Sequence, residues 1–210
     1  FKKDNFFFKF FKRYILAFLF FFKIHQKLIN SGFLLSWFEE FRLYWQSVLK
    51  GRPIYFHDFH FLLGIYRQRF QSVSVPDYAN EKEFLNAFQN QKTVYHLFGA
   101  VRKYSYEPLS CMKYENFIKN NDTIIEYGCG IAPITKSLLN YSLLKNLDLY
   151  IADIKQINSH FAKWRLGNDA KFIEITPYQN PLKNFEKKIN VVFLITVMEV
   201  ELAPHLRYWV

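Results

Sequence analysis

The feature that most constrains the fold is an apolar strand pattern that runs into a turn with two glycines. Residues 123–133 read TIIEYGCGIAP, in which the strand pattern meets an acid, Glu126, and Gly128 and Gly130 follow with one residue between them. Glycines are needed where a backbone bends sharply or approaches a ligand, and a following helix directs its first amide groups toward that ligand. The segment therefore predicts a strand, a tight turn and a helix, as in α/β proteins with a nucleotide-like ligand across the turn.

Two glycines also occur in turns that need the conformational freedom of glycine but bind no ligand. The residues around the pair must therefore distinguish these two kinds of turn. Dinucleotide-binding turns usually carry an apolar residue in place of Glu126 and a third glycine at the position of Pro133. The pattern instead resembles the first motif of class I S-adenosylmethionine-dependent methyltransferases, an acid followed by three alternating glycines, with Ala132 at the third glycine position. The resemblance implies S-adenosyl-L-methionine as the cofactor. It implies a cofactor-binding role for four residues of the turn: Glu126, Gly128, Cys129 and Gly130.

A second carboxylate follows one helix and one strand later. Residues 148–153, DLYIAD, read as a buried strand that ends at Asp153, which lies 27 residues after Glu126. Residues 133–144 between them have a helical pattern, so the segment forms one βαβ unit with parallel strands. A carboxylate offers two acceptor oxygens in one plane, which suits a pair of ribose hydroxyls. Asp153 is therefore predicted to hold the ribose of the cofactor; the other interpretation is a solvated acid at a strand end.

Two further apolar runs match the family less fully. Residues 171–175 are predicted to form a third strand, and residues 189–199 form a continuous apolar run, as expected for a parallel strand buried on both faces. Many family members place an acid after the third strand to bind adenine, whereas this chain has Thr176 there, so the adenine contact is unassigned. Some members carry a histidine at the position of Val200, so no catalytic base is assigned. Glu199 matches a glutamate of the family and equally suits the start of a helix.

The resemblance implies an α/β fold with a Rossmann-like parallel-sheet methyltransferase core, of which the first four strands are present, after a helical N-terminal region. We expect a basic, aromatic-rich helical region at 1–75 and a methyltransferase domain at 76–210. Within that domain we expect a helical lead-in at 80–120 and the core at 121–210. The polar stretch 72–80 marks the boundary. Because the family's sheet usually continues beyond a fourth strand, we expect the chain to be C-terminally incomplete.

Charge is unevenly distributed along the chain. Residues 1–70 carry 12 Lys or Arg and 4 Asp or Glu, whereas residues 71–210 carry 16 and 14, so no nucleic-acid surface is indicated on the core. The chain is also rich in Phe, Lys, Asn, Ile and Tyr, as an AT-rich coding sequence would produce, so aromatic content alone does not indicate base stacking. The two cysteines, Cys111 and Cys129, form neither a disulfide framework nor a metal-binding pair. We expect a reducing, cytoplasmic location.

Other histidine and aromatic residues have simple structural interpretations. His57 and His60 lie three residues apart among aromatic residues, which is more typical of packing than of a metal site, so no metal is expected. Residues 36–48 place aromatic side chains on one helical face and predict a core stripe. Tyr95 and His96 in the lead-in are candidates for the substrate side, although core and surface roles are the simpler interpretation.

The N-terminal segment has two interpretations. Residues 6–22 are strongly apolar but are interrupted by Lys9, Lys12 and Arg13, and the longest uninterrupted run is 15–22. A membrane-spanning helix needs about 20 residues, and no signal-peptide cleavage site follows. We expect a helix that packs against the rest of the protein with its lysines in solvent. The alternative is a basic, Phe-rich helix that makes peripheral contact with an anionic membrane surface.

By resemblance, the expected reaction is transfer of a methyl group from S-adenosyl-L-methionine to a small-molecule or glycan acceptor. Two alternatives stay open. The first is a nucleotide- or NAD-dependent Rossmann enzyme that uses the same turn, and the second is a non-catalytic protein that keeps the scaffold.

Overall fold

The computed structural model describes residues 6–32, 36–70, 95–105, 109–176, 179–183 and 185–194. Its N-terminal part is helical and contains α1 (Phe6–Phe21), α2 (Ile24–Asn30), α3 (Ser36–Ser47), α4 (Phe56–Phe70) and α5 (Tyr95–Tyr104). Two short 3-10 turns follow, Ser110–Lys113 and Glu115–Phe117. The α/β part then runs through β1 (Thr123–Tyr127), α6 (Pro133–Tyr141), β2 (Asp148–Asp153), α7 (Ile157–Leu166), β3 (Lys171–Glu174) and β4 (Val191–Leu194).

The four described strands form one parallel sheet in the order β3-β2-β1-β4. In β1, Glu126 pairs with Ile151 of β2 on one side and with Phe193 of β4 on the other. The chain forms β2 and β3 on one side of β1 and returns on the other side as β4, so the strand order reverses at β1. In open sheets of this kind, ligands bind beyond the carboxyl ends of the strands at such a reversal. The architecture is α/β and compatible with a Rossmann-like fold, and the glycine turn lies at the reversal.

The predicted elements of the first βαβ unit are confirmed. The second strand occupies the predicted residues 148–153, and α6 begins at Pro133 as expected but ends at Tyr141, because Ser142 is already extended. Helix α7 lacks a strong apolar period and was not expected; Gln156 and Ser159 form a capping box at its start. Of the run 189–199, β4 covers only Val191–Leu194, and residues 195–199 lie outside the described residues. The boundary at 72–80 and the lead-in before Tyr95 also lie outside them.

Alternating side chains of the sheet face two separate cores. Ile124 and Ile151 face the helices α6 and α7, where they pack with Leu138 among others. Ile125 and Tyr150 face the opposite side, where Leu182, Phe185 and Ile189 pack against them. This alternation is the normal consequence of the strand's two-residue side-chain period. Both faces of β1 and β2 are therefore covered. The expectation that the fourth strand is buried on both faces is wrong for the described residues, because Val192 and Leu194 of β4 are 46% and 62% exposed.

A third core is aromatic and connects the N-terminal helices to the α/β part. Phe41 and Tyr44 on α3 are fully buried, which confirms the predicted core stripe. Phe59 of α4 stacks on Phe98 of α5, with ring centroids 4.9 Å apart. The same cluster contains Phe161 of α7. In a neighbouring contact, His60 packs edge-on against the rings of Phe56 and Phe59, as expected for a packing histidine.

Helix α1 packs in the orientation opposite to the expected one. Lys9 donates to the carbonyl of Leu139 at 2.6 Å, and Arg13 forms a two-pronged ion pair with Glu115 at 2.9 and 2.5 Å. Arg13 also reaches the carbonyl of Tyr141. The last carbonyls of a helix lack intrahelical partners and attract cations, so the end of α6 binds these two side chains. The expectation that the lysines lie in solvent is therefore wrong for Lys9.

None of the residues of α1 is buried. Among the described residues, no helix has both the length and the apolar character needed to cross a membrane.

Candidate functional site

The turn after β1 is shaped by three residues with positive φ. Gly128 has φ 65°, Gly130 has φ 53° and Ala132 has φ 54°. The amides of Gly128 and Cys129 both donate to the carbonyl of Ala152 in β2, at 2.8 and 3.1 Å. The turn is thus fixed to the neighbouring strand. Ala132, where the methyltransferase motif has its third glycine, adopts the left-handed conformation that a glycine would favour, which the sequence alone did not show.

Glu126 is fully buried and caps the helix that follows the turn. Its two carboxylate oxygens accept hydrogen bonds from the amides of Ile134 and Thr135, at 3.2 and 2.6 Å. These amides belong to the first turn of α6, where backbone donors lack intrahelical partners. Burial raises the pKa of Glu126 to about 7, while the bonds from Thr135 and Ile134 and the charge of Arg165 act in the opposite direction. The structure assigns this acid to the helix start, and direct contact with a cofactor stays a prediction.

Asp153 closes onto the glycine turn from the end of β2. One carboxylate oxygen accepts a hydrogen bond from the amide of Gly130 at 2.6 Å. The other accepts from the amide of Ile154 at 2.7 Å and from the side-chain amide of Gln156 at 3.1 Å. The residue is only 6% exposed, and burial raises its pKa. The structure therefore brings Asp153 and Gly130 together, although they are 23 residues apart in sequence.

The space around Gly130 is open. Apart from its chain neighbours, no described atom lies within 4 Å of the position that a Cβ on Gly130 would occupy. Internal packing therefore does not require a glycine here. The requirement comes from the positive φ, and the open space leaves room for a ligand beside the main chain.

Cys129 is a structural residue of the turn. Its side chain is buried and free of disulfide bonding. Burial raises its pKa, with added repulsion from Asp153 and Glu126, so the thiol stays protonated at neutral pH. A protonated, buried thiol is a poor nucleophile. Its predicted role at the cofactor site is therefore limited to its backbone and its small volume.

A cavity of about 480 Å³ lies along α6 on the side that faces α1 and α3. Its wall includes the apolar side chains of Leu16 and Trp37 and, from the end of the glycine turn, Ile131. Charged residues also line it: Glu40 pairs with Lys136 at 2.5 Å and with Arg165 at 2.9 Å. The cavity thus adjoins the turn without containing Asp153.

Other predicted positions contribute less. His96 is half-buried, and burial lowers its pKa. The side chain of Tyr95 lies outside what the structure describes, as do Glu199 and Val200. Thr176, at the position after β3 that was considered for the adenine contact, is exposed. No residue is assigned to that contact. Among the described residues, no three His, Cys, Asp or Glu side chains are grouped as a metal site would need.

Sequence reasoning missed two residues that support the site. Gln156 donates to Asp153 and also caps α7, so it fixes the carboxylate from the next helix. Arg165 donates to the carbonyl of Ile131 at 3.1 Å while pairing with Glu40, and so links the turn to α3. The position of Gln156, three residues after Asp153, was a usable signal. Nothing in the sequence marked Arg165.

Comparisons with protein-family models, with curated proteins and with solved structures found no match.

A pH titration of stability tests the burial of Glu126. In the folded protein its pKa is raised from 4.5 to about 7, so between these values the folded state holds a proton that the unfolded state has lost. Stability from this group is therefore complete below pH 4.5 and is lost as the pH rises through 7. We expect the free energy of unfolding of the wild type to fall relative to Glu126→Gln, by on the order of 3 kcal/mol across this window.

The measurement is urea unfolding of both proteins at several pH values. Because Glu126→Gln retains Asp153, the difference between the two proteins isolates Glu126. A difference that stays constant between pH 5 and pH 8 would contradict the raised pKa.

Proposed function

We propose that this chain binds S-adenosyl-L-methionine at the turn after β1 and acts as a methyltransferase on a small-molecule or glycan acceptor. The observation that carries the proposal is the hydrogen bond from the amide of Gly130 to Asp153. It links the glycine turn to the carboxylate one crossover later, which is the pair that a nucleoside-binding site of this architecture needs.

The residues present fit this cofactor in two respects. No described side chain lies within 4 Å of the Cβ position at Gly130, so among the described residues the main chain there is open to a ligand. Asp153 accepts hydrogen bonds from the amides of Gly130 and Ile154 and from the side chains of Gln156 and Cys129, which together fill the roughly four acceptor positions of a carboxylate. The two ribose hydroxyls would replace the side-chain donors of Gln156 and Cys129, while the two backbone amides stay in place. We therefore assign the ribose to Asp153 and the methionine end to the main chain at 128–130.

The helix start favours this cofactor over a dinucleotide. A pyrophosphate binds to the free amides and the positive end of a helix N-terminus. Here the amides of Ile134 and Thr135 already bind the carboxylate of Glu126. An anionic ligand would lose these donors and would be repelled by the acid. A sulfonium carries a positive charge, so the carboxylate of Asp153 beside the turn favours it.

When bound, S-adenosyl-L-methionine supplies an activated methyl group on a positively charged sulfur. The protein's part is then to hold the nucleoside in one orientation and to exclude water from the space above the turn. Asp153, fixed by the amides of Gly130 and Ile154, provides the orientation. No catalytic base is assigned among the described residues. The nucleophile of the acceptor must therefore need little activation, or a group outside the described residues must activate it.

Calorimetric titration of the chain with S-adenosylhomocysteine and, separately, with NAD tests the proposal. We expect saturable binding of S-adenosylhomocysteine and none of NAD. Binding of NAD alone would establish the dinucleotide alternative. Absence of binding by either compound to a chain that unfolds cooperatively would favour the non-catalytic scaffold.

A further inference from the structure

The outward side of α1 is an unbroken aromatic and aliphatic surface. Phe7 is 75% exposed and Phe21 is 81% exposed, at the two ends of the helix. Seven exposed members recur at intervals of three, four and seven residues, which places them on one helical face, and the exposed Phe6 and Phe8 lie to either side of it. We call this the outer face of α1, and it consists of Phe7, Phe10, Phe11, Tyr14, Ile15, Phe18 and Phe21.

The attachment of α1 fixes this orientation. Lys9 and Arg13, which would normally face water, bind the end of α6 and Glu115. Turning the outer face inward would break these bonds and expose both partners. Contiguous apolar surface of this kind on a protein usually marks contact with another protein or with a membrane. Composition bias can supply many phenylalanines, but Phe7, Phe18 and Phe21 are exposed on the side away from the ion pairs, whereas Phe20 packs on His25.

The charged residues of α1 and α2 are all basic. Residues 6–32 contain five Lys or Arg and no Asp or Glu. Lys12, Lys23 and Lys27 are exposed, at the edge of the outer face and just beyond its end. A basic helix with a Phe-rich face is the sequence type that lies in the headgroup region of anionic bilayers.

We propose that the outer face of α1 binds an anionic lipid surface and holds the protein at the membrane periphery. The helix is too short and too interrupted by charge to span the bilayer, so it lies in the interface plane. A second copy of this chain is a poorer occupant, because a symmetric interface would bring two sets of lysines together, whereas anionic headgroups neutralise them. The proposal is independent of the cofactor and of any methyltransferase activity.

Vesicle flotation of the full chain tests the proposal. The probes are vesicles of phosphatidylcholine alone and vesicles with roughly 30% phosphatidylglycerol. We expect the wild type to float with the anionic vesicles, to bind neutral ones more than about tenfold more weakly, and to be released by ~0.5 M NaCl. The combined variant Phe7→Ser, Phe11→Ser and Phe18→Ser should lose binding to both.

A matched control keeps the test specific to α1. Phe61 on α4 is 68% exposed, so Phe61→Ser removes a similar side chain elsewhere and should bind as the wild type does. For charge, Lys12→Gln with Lys23→Gln and Lys27→Gln should reduce anionic binding more than about tenfold, whereas Lys119→Gln with Lys145→Gln should not. Circular dichroism verifies that each variant is folded.

Three outcomes would overturn the proposal. Wild type that does not float with anionic vesicles at low salt, and that is monomeric in ultracentrifugation, would mean that another part of this chain covers the face. A dimer that the triple serine variant converts to monomer, again without vesicle binding, would identify a second copy as the occupant. Vesicle binding that the triple variant retains would place the lipid contact elsewhere.

Discussion

Replacing Asp153 with alanine is expected to weaken binding of S-adenosylhomocysteine by roughly 1–3 kcal/mol, or about five- to 150-fold. The loss arises because a charged acceptor for ribose hydroxyls disappears from the edge of the turn. The same change releases the amides of Gly130 and Ile154, so the melting temperature should also fall. Calorimetry measures the affinity, and thermal unfolding measures the stability.

Asp148 provides the matched control for this change. It begins the same strand that Asp153 ends, and it pairs with Lys171 and Lys187 at the opposite edge of the sheet. Asp148→Ala should leave the affinity unchanged. Asp153→Asn, which retains one acceptor oxygen, separates affinity from folding and should bind with intermediate strength. Equal affinities for the wild type, Asp153→Asn and Asp153→Ala would remove this carboxylate from the site.

Adding a single methyl group at Gly130 is expected to lower the affinity for S-adenosylhomocysteine more than about tenfold. The methyl group would enter the open space that we assign to the cofactor. Because Gly130 has a φ of 53°, Gly130→Ala also costs roughly 1–2 kcal/mol of backbone strain. The affinity of the folded fraction is therefore measured below the melting temperature of the variant.

Gly167 controls for the strain. It has a φ of 54°, and a Cβ built there likewise meets no described atom within 4 Å beyond its chain neighbours. With φ 54° and ψ −123°, Gly167 has a backbone conformation that an L residue strongly disfavours, so Gly167→Ala should be destabilised and still bind normally. If both alanine variants kept the wild-type affinity, no ligand would approach the main chain at Gly130.

Much of the first βαβ unit was predictable from the sequence. The strand limits at 123–127 and 148–153 follow from continuous apolar runs that end in polar or turn residues. The meeting of Asp153 and the glycine turn follows because neighbouring parallel strands end at the same edge of a sheet. Local pattern and topology therefore suffice to place these two groups together.

The group that the Glu126 side chain binds could not be predicted from the sequence in the same way. In the sequence Glu126 is an acid before a glycine turn, and the resemblance assigned it to a ligand. In the structure it lies in the core and binds the amides of Ile134 and Thr135. Which group it binds depends on the path of the turn, and that path includes the left-handed conformation of Ala132. Residue preferences do not predict such a conformation for alanine.

The orientation of α1 was also beyond the sequence. A helix with this pattern is expected to pack its aromatic face against the rest of the protein and to leave its lysines in solvent. The actual orientation follows from partners far away in the chain, Glu115 and the carbonyls at the end of α6. No periodicity in residues 6–22 contains that information.

The central claim is that the turn at 128–130 and Asp153 together hold the nucleoside part that S-adenosyl-L-methionine shares with S-adenosylhomocysteine. Titration of the ¹⁵N-labelled chain with S-adenosylhomocysteine, followed by amide chemical shifts, tests it most directly, because the amide of Gly130 donates to Asp153 and reports on both groups. We predict that the amides of Gly128, Cys129, Gly130 and Ile154 shift first and saturate together. A saturating titration that leaves these four amides unmoved would contradict the claim.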